Sequence, residues 1–187
     1  MRINAMRSDA PSLGARTPPQ AMPFNLASLR NVSLEALSTR DVGLLLAQAR
    51  ALQSLIDAGQ GQSLLRGKNL GLLCDTEGRE DALRFRRAAT DLGARVAQIR
   101  PDLSPASPDS EVVDTGRMLG RLYDAVECVG LDAGVVKRLS VAAKVPVFHG
   151  ISSVDHPTAK LATQLAGGQS DQSHRLMLQA ILLSTLN

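Results

Sequence analysis

The segment from Asp75 to Asp81 contains the residues whose types and spacing could do chemistry. Gly78, Arg79 and Glu80 lie within it, after a short apolar run and before a segment with helical periodicity. A loop at the start of a helix commonly binds phosphate, because unpaired backbone N–H groups and the helix dipole both attract an anion. Arg79 would add a cation there, whereas Glu80 and Asp81 would satisfy the dipole and compete with a phosphate. The spacing therefore indicates a ligand-binding loop whose acidic residues disfavour an anion.

His156 and the pair Asp114–Thr115 are the other polar residues in positions that could bind a ligand. His156 directly precedes Pro157 at the start of an expected helix. A histidine in this position is more often structural than catalytic, and Asp or Thr near a helix start is more often a cap than a ligand. A binding role and a structural role both stay open for these residues.

The loop after Asp75 lies inside one βαβ unit. Leu70–Cys74 is a short apolar run after a basic turn, which is typical of a buried parallel strand. A helix is predicted from Asp81, because apolar residues recur at three- and four-residue spacing: Ala82, Phe85, Ala88, Ala89 and Leu92. Gly93 would end this helix, and Ala94–Ile99 would form the second strand.

Further helices and strands are predicted on both sides of this unit. A first helix would begin with a capping box at Ser38–Asp41 and end at Gly59, with one apolar face: Val42, Leu45, Leu46, Ala49, Leu52 and Ile56. A helix over 111–123 would turn five residues inward, although Gly116 and Gly120 weaken it: Val112, Thr115, Met118, Leu119 and Leu122. The rest follows as a strand ending at Val129, a helix at Gly134–Leu139, a strand at Val145–Phe148, a helix at Ala159–Leu165 and an amphipathic helix at about Ser173–Leu186.

Four stretches resemble, in their spacing, the carbamoyl-phosphate-binding domain of the aspartate and ornithine carbamoyltransferases. In the first, LLRGKNLGLLCDTEGREDALRFRRAATDLGARV, a strand runs into the position of the family's Ser-Thr-Arg-Thr-Arg loop and then into a helix. The second, EVVDTGRMLGRLYDAVECV, is similar to a family helix and the strand after it. The segment from Gly150 to Ala159 resembles a His-Pro-x-Gln signature, and QSDQSHRLMLQAILLSTLN resembles the family's final helix.

The resemblance implies which positions would form the substrate-binding site, namely Gly78, Arg79, Glu80, Asp81, Ala82, Val129, His156 and Ala159. In the family, the two arginines of the loop, an arginine at the position of Val129 and a glutamine at that of Ala159 bind carbamoyl phosphate. Among these positions, only His156 keeps the family's residue type. We therefore expect no catalytic residue here, and neither a cofactor nor a metal site.

The resemblance also implies an α/β fold with three layers, α/β/α, around a four-stranded parallel sheet in the order 2-1-3-4. Ligands of such sheets bind beyond the carboxyl ends of the strands, here between strands 1 and 3. We predict this domain over residues 24–187. In the family, a second domain that binds the amino-acid substrate separates the last two helices, and its His-Cys-Leu-Pro and Ser-Met-Gly motifs are missing here. A deletion near residues 167–171 would explain this, with the C-terminal helix packed back on the domain.

Composition disfavours several classes of function. Apolar residues make up 44% of the chain, but with three Phe, one Tyr and no Trp the core must be aliphatic. The net charge is +3 with scattered basic residues, so nucleic-acid binding, which uses stacked aromatics, is disfavoured. No apolar run has the length of a membrane span, so no membrane partner is expected. Cys74 and Cys128 are predicted to be reduced core residues of a cytoplasmic protein, with a redox pair as the alternative.

Residues 1–23 contain four of the nine prolines and no hydrophobic periodicity, so they predict a disordered N-terminal tail. Their arginine-rich, acid-poor composition also resembles that of a transit peptide, but an amphipathic pattern is missing.

Three functions remain open at this point. The chain could be an inactive relative kept for binding, regulation or oligomer formation. It could be an enzyme or sensor whose pocket takes another ligand, such as a cation, or it could still bind carbamoyl phosphate through Arg79, His156 and the helix N-terminus. Because the family forms trimers largely through this domain, we expect a homo-oligomer, with a dimer as the alternative to a trimer. A small molecule or another family member is a further expected partner.

Overall fold

A parallel β-sheet lies at the centre of the computed structural model, which describes residues 38–76, 78–165 and 170–186. Helices and strands follow in chain order: α1 Thr39–Asp57, β1 Asn69–Cys74, α2 Glu80–Asp91, β2 Arg95–Ile99, α3 Asp109–Leu122, β3 Ala125–Val129, α4 Ala133–Ala143, β4 Val147–His149, α5 Pro157–Ala162 and α6 Asp171–Leu186. A short 3₁₀ turn, Gly61–Ser63, lies between α1 and β1. The predicted tail 1–23 lies outside the described residues, as do positions 167–169 of the predicted junction.

The four strands are all parallel and run in the order β2-β1-β3-β4, which confirms the predicted sheet. Leu70 of β1 pairs with Val96 on one side and with Ala125 on the other. β1 and β3 are therefore the central strands, and β3 is buried along its whole length. The fourth strand begins two residues later than predicted, at Val147. The chain turns before it, since Lys144 is left-handed and Pro146 cannot donate a backbone hydrogen bond.

Helices cover both faces of the sheet, which confirms the three-layer architecture. One face carries α1, α2, α5 and α6, and their apolar side chains form a single cluster with those of β1, around Phe85, Leu52 and Met177. The other face carries α3 and α4, whose cluster includes Val112 and Leu139. Apolar burial of this kind contributes about 25 cal/mol per Å² and is the main force that assembles the layers.

The predicted capping box at the start of α1 is present. Ser38 Oγ accepts a hydrogen bond from Asp41 N at 3.2 Å, and Asp41 Oδ2 accepts one from Ser38 N at 3.2 Å. Such a cap stabilises a helix by about 1 kcal/mol, because it satisfies donors that the first turn leaves unpaired.

The C-terminal helix α6 packs back on the domain, as predicted. Every residue from Ser173 to Thr185 except Arg175 is buried, and the helix contacts α1, α2 and α5. Its polar side chains bond across these contacts: Gln179 Nε2 donates to Ala88 O at 3.3 Å, and Ser184 Oγ bonds Gln48 Oε1. The sequence pattern indicated a single apolar stripe, whereas α6 is buried on nearly all sides.

The predicted inward face of α3 is wrong at two residues. Met118 is 49% exposed and Leu122 is 57% exposed. Instead, α3 turns its glycines onto α4: a Cβ added at Gly116 would lie 2.8 Å from Ala142 Cβ, and one at Gly120 would collide with Ala143 O. The two glycines permit a close approach of the helix backbones, and this approach rotates Met118 and Leu122 towards the outside.

The two cysteines are free and buried, as predicted for core residues. The β1–β3 register pairs Cys74 with Val129, not with Cys128. Moreover, Cys74 belongs to the apolar cluster on one face of the sheet and Cys128 to the cluster on the other. The sheet lies between the two thiols, so this arrangement does not fit a redox pair. No helix in the described ranges combines the length and hydropathy that a bilayer span requires.

Candidate functional site

The carboxyl ends of β1, β3 and β4 meet at one edge of the sheet, which we call the carboxyl edge. The chain leaves β1 at Cys74 and crosses to β2 on one side, whereas β3 lies on the other side of β1. The edge between β1 and β3 is therefore the switch point of the sheet, where α/β proteins usually bind ligands. The segment 78–82, Val129 and the loop 150–156 come together there, as the sequence predicted from strand order.

The start of α2 presents unpaired backbone donors at this edge. Gly78 has φ +79°, a left-handed conformation that glycine adopts without strain, and α2 begins at Glu80. Arg79 is the N-cap residue, and no side chain caps the helix among the described residues. The first N–H groups of the helix, from Glu80 onward, have no intrahelical acceptor. This turn has the geometry of an anion site, and the side chains around it determine what it can accept.

Arg79 crosses from the loop after β1 to the end of β3. Its Nη2 lies 3.1 Å from Asp81 Oδ2, so the guanidinium is paired with a carboxylate two residues away. A Cβ added at Gly130 would lie 2.9 Å from Arg79 Nη1, and the φ of Gly130 is +79°. Glycine at this position therefore leaves space for the guanidinium directly after β3. The cation lies at the switch point, but an acidic neighbour already neutralises it.

Arg84 is a second cation at this edge, and sequence reasoning missed it. Its side chain is only 13% exposed, and Nη1 donates to Ser152 O at 2.7 Å. The guanidinium also lies 3.7 Å from Glu80 Oε2 and 4.0 Å from Asp81 Oδ1. The i,i+4 spacing of Glu80 and Arg84 was a signal for the ion pair, but the contact with Ser152 spans 68 residues and has no local pattern.

The remaining positions of the loop and strand are apolar and face inward. Ala82 is 3% exposed and Val129 is 1% exposed, and both belong to the core cluster under the edge. Ala159 is half-buried in the first turn of α5. None of these three side chains can donate a hydrogen bond to a ligand. Of the described residues at the edge, the cationic side chains are thus two arginines, and both are paired with carboxylates.

His156 is the N-cap residue of α5. Its Nδ1 accepts a hydrogen bond from Thr158 N at 3.3 Å, and Thr158 Oγ1 donates to Ile151 O at 2.6 Å. These bonds connect both ends of the loop 150–156 through the helix start. The contact gives His156 a structural role in this loop, beside any role toward a ligand. Asp114, by contrast, is exposed in α3, and its ion pair among the described residues is with Arg117 at 3.2 Å.

Glu127 is a fully buried carboxyl group in the middle of β3, and no sequence pattern indicated a role for it. Its Oε1 accepts from Ser152 Oγ at 3.1 Å and from Ser152 N at 3.4 Å, while Oε2 has no partner among the described residues. Burial raises the pKa of Glu127 to about 8, although the Ser152 hydrogen bonds oppose the shift and the charge of Asp81 adds to it. At neutral pH this group is mainly a neutral acid.

His174 of α6 is the third polar group that the sequence did not reveal. It is 5% exposed, and its Nε2 has no described partner. Burial lowers the pKa of His174, the positive charge of Arg84 lowers it further, and a hydrogen bond with the Ile151 backbone opposes the change. A neutral imidazole is therefore expected at pH 7. Within the described residues, no group of three or more acidic, His or Cys side chains has an arrangement suited to a metal ion.

Comparisons with known proteins agree with this architecture. Residues 30–166 match the family model described as "Aspartate/ornithine carbamoyltransferase, carbamoyl-P binding domain". The ornithine carbamoyltransferase of Actinobacillus pleuropneumoniae serotype 5b is 38% identical over 144 residues, which are 77% of this chain and 43% of that protein. That of Cutibacterium acnes is 37% identical over the same lengths. The chain thus spans less than half the length of these relatives.

Solved structures give the same result. The ornithine carbamoyltransferase from Pyrococcus furiosus has a TM-score of 0.61 and 26% identity, covering 74% of this chain and 44% of that one. The ligand-free aspartate transcarbamoylase from Trypanosoma cruzi has a TM-score of 0.57 and 25% identity, covering 73% and 45%. On its fold, its strand order and the matched sequence, the chain belongs to the aspartate/ornithine carbamoyltransferase family, as a carbamoyl-phosphate-binding domain.

Proposed function

We propose that this chain does not catalyse carbamoyl transfer and that it acts as an inactive family member with a binding, regulatory or oligomer-forming role. One observation carries the proposal: the arginines at the carboxyl edge are paired with carboxylates of the same segment. Arg79 bonds Asp81 at 3.1 Å, and Arg84 is shared between Ser152, Glu80 and Asp81. A phosphate would have to compete with these carboxylates for every cation.

The energetic cost of that competition is large. Carbamoyl transfer needs cations and donors that hold a dianionic phosphate and stabilise charge developing on the carbamoyl group. One carboxylate about 4 Å from a phosphate charge repels it by ~4 kcal/mol at an effective dielectric near 20. A loss of that size corresponds to roughly a thousandfold in affinity. The positions of Ala82, Val129 and Ala159 offer no cation or donor in compensation.

The binding of the second substrate, the amino acid, leads to the same conclusion. In the family, as the resemblance implies, the amino-acid substrate is bound by a second domain. The match covers only 43% of the length of the ornithine carbamoyltransferases, and this sequence lacks the motifs of that domain. α6 begins at Asp171, at the end of the predicted junction 167–171, which favours an internal deletion with the linking helix retained.

Calorimetry with carbamoyl phosphate and a bisubstrate phosphonate tests the proposal, together with assays for citrulline and carbamoyl aspartate. We expect no heat of binding at micromolar concentrations and no product. Micromolar binding with turnover would refute the proposal. Binding without turnover would instead identify a carbamoyl-phosphate sensor, the second candidate, which the uncapped first turn of α2 favours.

A redirected ligand site is the remaining candidate. Asp75, Glu80 and Asp81 surround the switch point with carboxylates, so a cationic ligand fits the charge of the edge better than phosphate does. A thermal-shift screen of cationic and anionic metabolites would distinguish a cation site from an anion site, since only a ligand that binds the folded state raises the midpoint temperature of unfolding.

The free, buried cysteines favour a reducing compartment, and we propose a cytoplasmic location on that basis.

A further inference from the structure

Three arginines line a hollow between α2 and the beginning of α6, on the outer side of the helix layer. Arg84 and Arg87 come from α2 and Arg175 comes from α6, around a volume of about 160 Å³. The lining is completed by Leu83 and two carboxylates: Glu80 and Asp171. The lining holds three guanidinium groups and two carboxylates, and Asp91 pairs with Arg175 beside it, so the charges nearly balance and Arg87 is left as the guanidinium without an ion-pair partner among the described residues. Apart from Glu80, the hollow uses none of the positions that the family resemblance implies.

Arg87 and Arg175 are available to a ligand. Arg87 is exposed and forms no ion pair with any described residue. Arg175 Nε lies 3.6 Å from Asp91 Oδ2, and the two side chains are 42% and 48% exposed. Exposed pairs of this length contribute little stability and exchange readily with other partners. Arg84, by contrast, is fixed by its bond to Ser152 and supplies a static charge at the inner wall.

The chemistry of the lining selects an oxyanion. A guanidinium is planar, is always charged, and offers paired N–H donors that match two oxygens of a phosphate or carboxylate. Without an anion, carboxylates balance Arg84 and Arg175, whereas the charge of Arg87 has no such partner among the described residues. Glu80 is 88% exposed, so its side chain can turn into water when an anion enters.

A neighbouring hollow leaves room for the rest of such a ligand. It has a volume of about 230 Å³, shares Arg175 with the first hollow, and includes the side chains of Gln62 and Gln172. Carboxamides offer both donors and acceptors, so they suit hydroxyl or amide groups next to the anionic end.

We propose that the hollow lined by Arg84, Arg87 and Arg175 binds a small organic oxyanion through its phosphate or carboxylate group. The hollow shares Arg84 and Glu80 with the carboxyl edge, but Arg87 and Arg175 lie outside that edge, so substituting them tests the hollow without changing the groups on which the proposed function rests. A failure of one proposal would therefore not decide the other.

Titration calorimetry with pyrophosphate and with citrate, at fixed ionic strength, tests this site in the full chain. We expect saturable binding of at least one probe, and the tighter of the two identifies the phosphate or the carboxylate class. Arg87→Gln and Arg175→Gln should each weaken that binding about tenfold, the usual effect of losing a charge-assisted hydrogen bond. Arg121→Gln is the matched control, because Arg121 is an exposed arginine of α3 on the other side of the sheet.

Two results would overturn the proposal: no saturable binding of either probe, or equal loss in Arg87→Gln and Arg121→Gln, which would indicate nonspecific attraction. Thermal unfolding of each variant confirms that it is folded. If Arg175→Gln fails to fold, Arg87→Gln decides alone, because its side chain is exposed and has no ion-pair partner among the described residues to lose.

Discussion

At the scale of single residues, the protonation of Glu127 is the most consequential feature. The carboxyl group has no exposed surface, and it accepts hydrogen bonds from Ser152 N and Ser152 Oγ. Its pKa is about 8 in the folded protein, against an ordinary value of 4.5 for a glutamate side chain. Below pH 4.5 both states carry the proton. Between these values the unfolded chain releases it and the folded chain does not, so stability falls as pH rises, by up to about 5 kcal/mol.

Glu127→Gln should remove this pH dependence. Glutamine has a similar shape and no proton to lose, so from pH 7 to pH 8, where the contribution of His174 is small, the free energy of unfolding should be nearly flat while that of the parent protein falls. The buried amide adds a constant cost for an unpaired donor, which shifts the curve without changing its slope. Urea unfolding at pH 5, 7 and 8.5 measures the slopes. Glu111→Gln, at an exposed site of α3, is the control, and identical slopes in all three proteins would contradict the assignment.

Single residues also determine how much of the site could be predicted from the sequence. The resemblance to the family placed 78–82, Val129 and His156 at one edge, because the family's strand order brings the carboxyl ends of those strands together. It could not show that Arg79 is paired with Asp81, since rotamers decide that contact. Nor could it find Glu127, which lies in an apolar strand and bonds a residue 25 positions away, or Arg84, whose acceptor is a distant carbonyl.

At the scale of elements, the contact between α3 and α4 depends on two glycines that look like defects in the sequence. Sequence periodicity correctly predicted helices there but not their rotation, because a glycine contributes no apolar side chain to the pattern. The exposed Met118 and Leu122 are the visible result. Helix propensity would favour alanine at both glycines, and packing forbids it.

Gly120→Ala should therefore destabilise the protein although alanine is the better helix former. The new methyl group would meet Ala143 O, and overpacking of this kind costs about 1–3 kcal/mol. Gly43→Ala in α1 is the matched control: nothing lies within 4 Å of its added Cβ, so helix propensity should raise stability by about 1 kcal/mol. Chemical denaturation of both variants measures the sign of each change in the free energy of unfolding. A stabilised Gly120→Ala would show that α3 and α4 do not pack as closely as described.

The C-terminal helix α6 should be indispensable to the core. Its buried aliphatic residues contribute roughly 6–12 kcal/mol before ordering costs, which is comparable to the net stability of a domain. A chain truncated after Gly168 should be insoluble or should lose cooperative unfolding. Leu178→Ala provides a milder test, with an expected loss of about 2–5 kcal/mol, because Leu178 has no exposed surface. Unchanged thermal unfolding of the truncated chain would refute this role.

At the scale of the whole molecule, we propose that the chain forms a homo-oligomer, with a trimer favoured over a dimer. The outer face of α3 supports this, since Met118 and Leu122 lie one turn apart beside a hollow of about 420 Å³. Multi-angle light scattering at micromolar concentration should give a mass above that of the 19.8 kDa monomer. Met118→Lys should dissociate the assembly if this face is the interface, whereas Val154→Lys, at another exposed apolar residue, should not. A monomeric parent protein would contradict the proposal.

The hydrogen bond between Ser184 and Gln48 joins residues 136 positions apart, and it connects the first described helix to the last. A ribosome therefore completes α1 long before its packing partner exists. Until α6 leaves the exit tunnel, Leu45, Leu52 and Phe85 have no cover on that side, and the central pair of strands must also wait for a partner 55 residues downstream. The core of this domain therefore cannot be completed before α6 has been synthesised, however early its other helices and strands form.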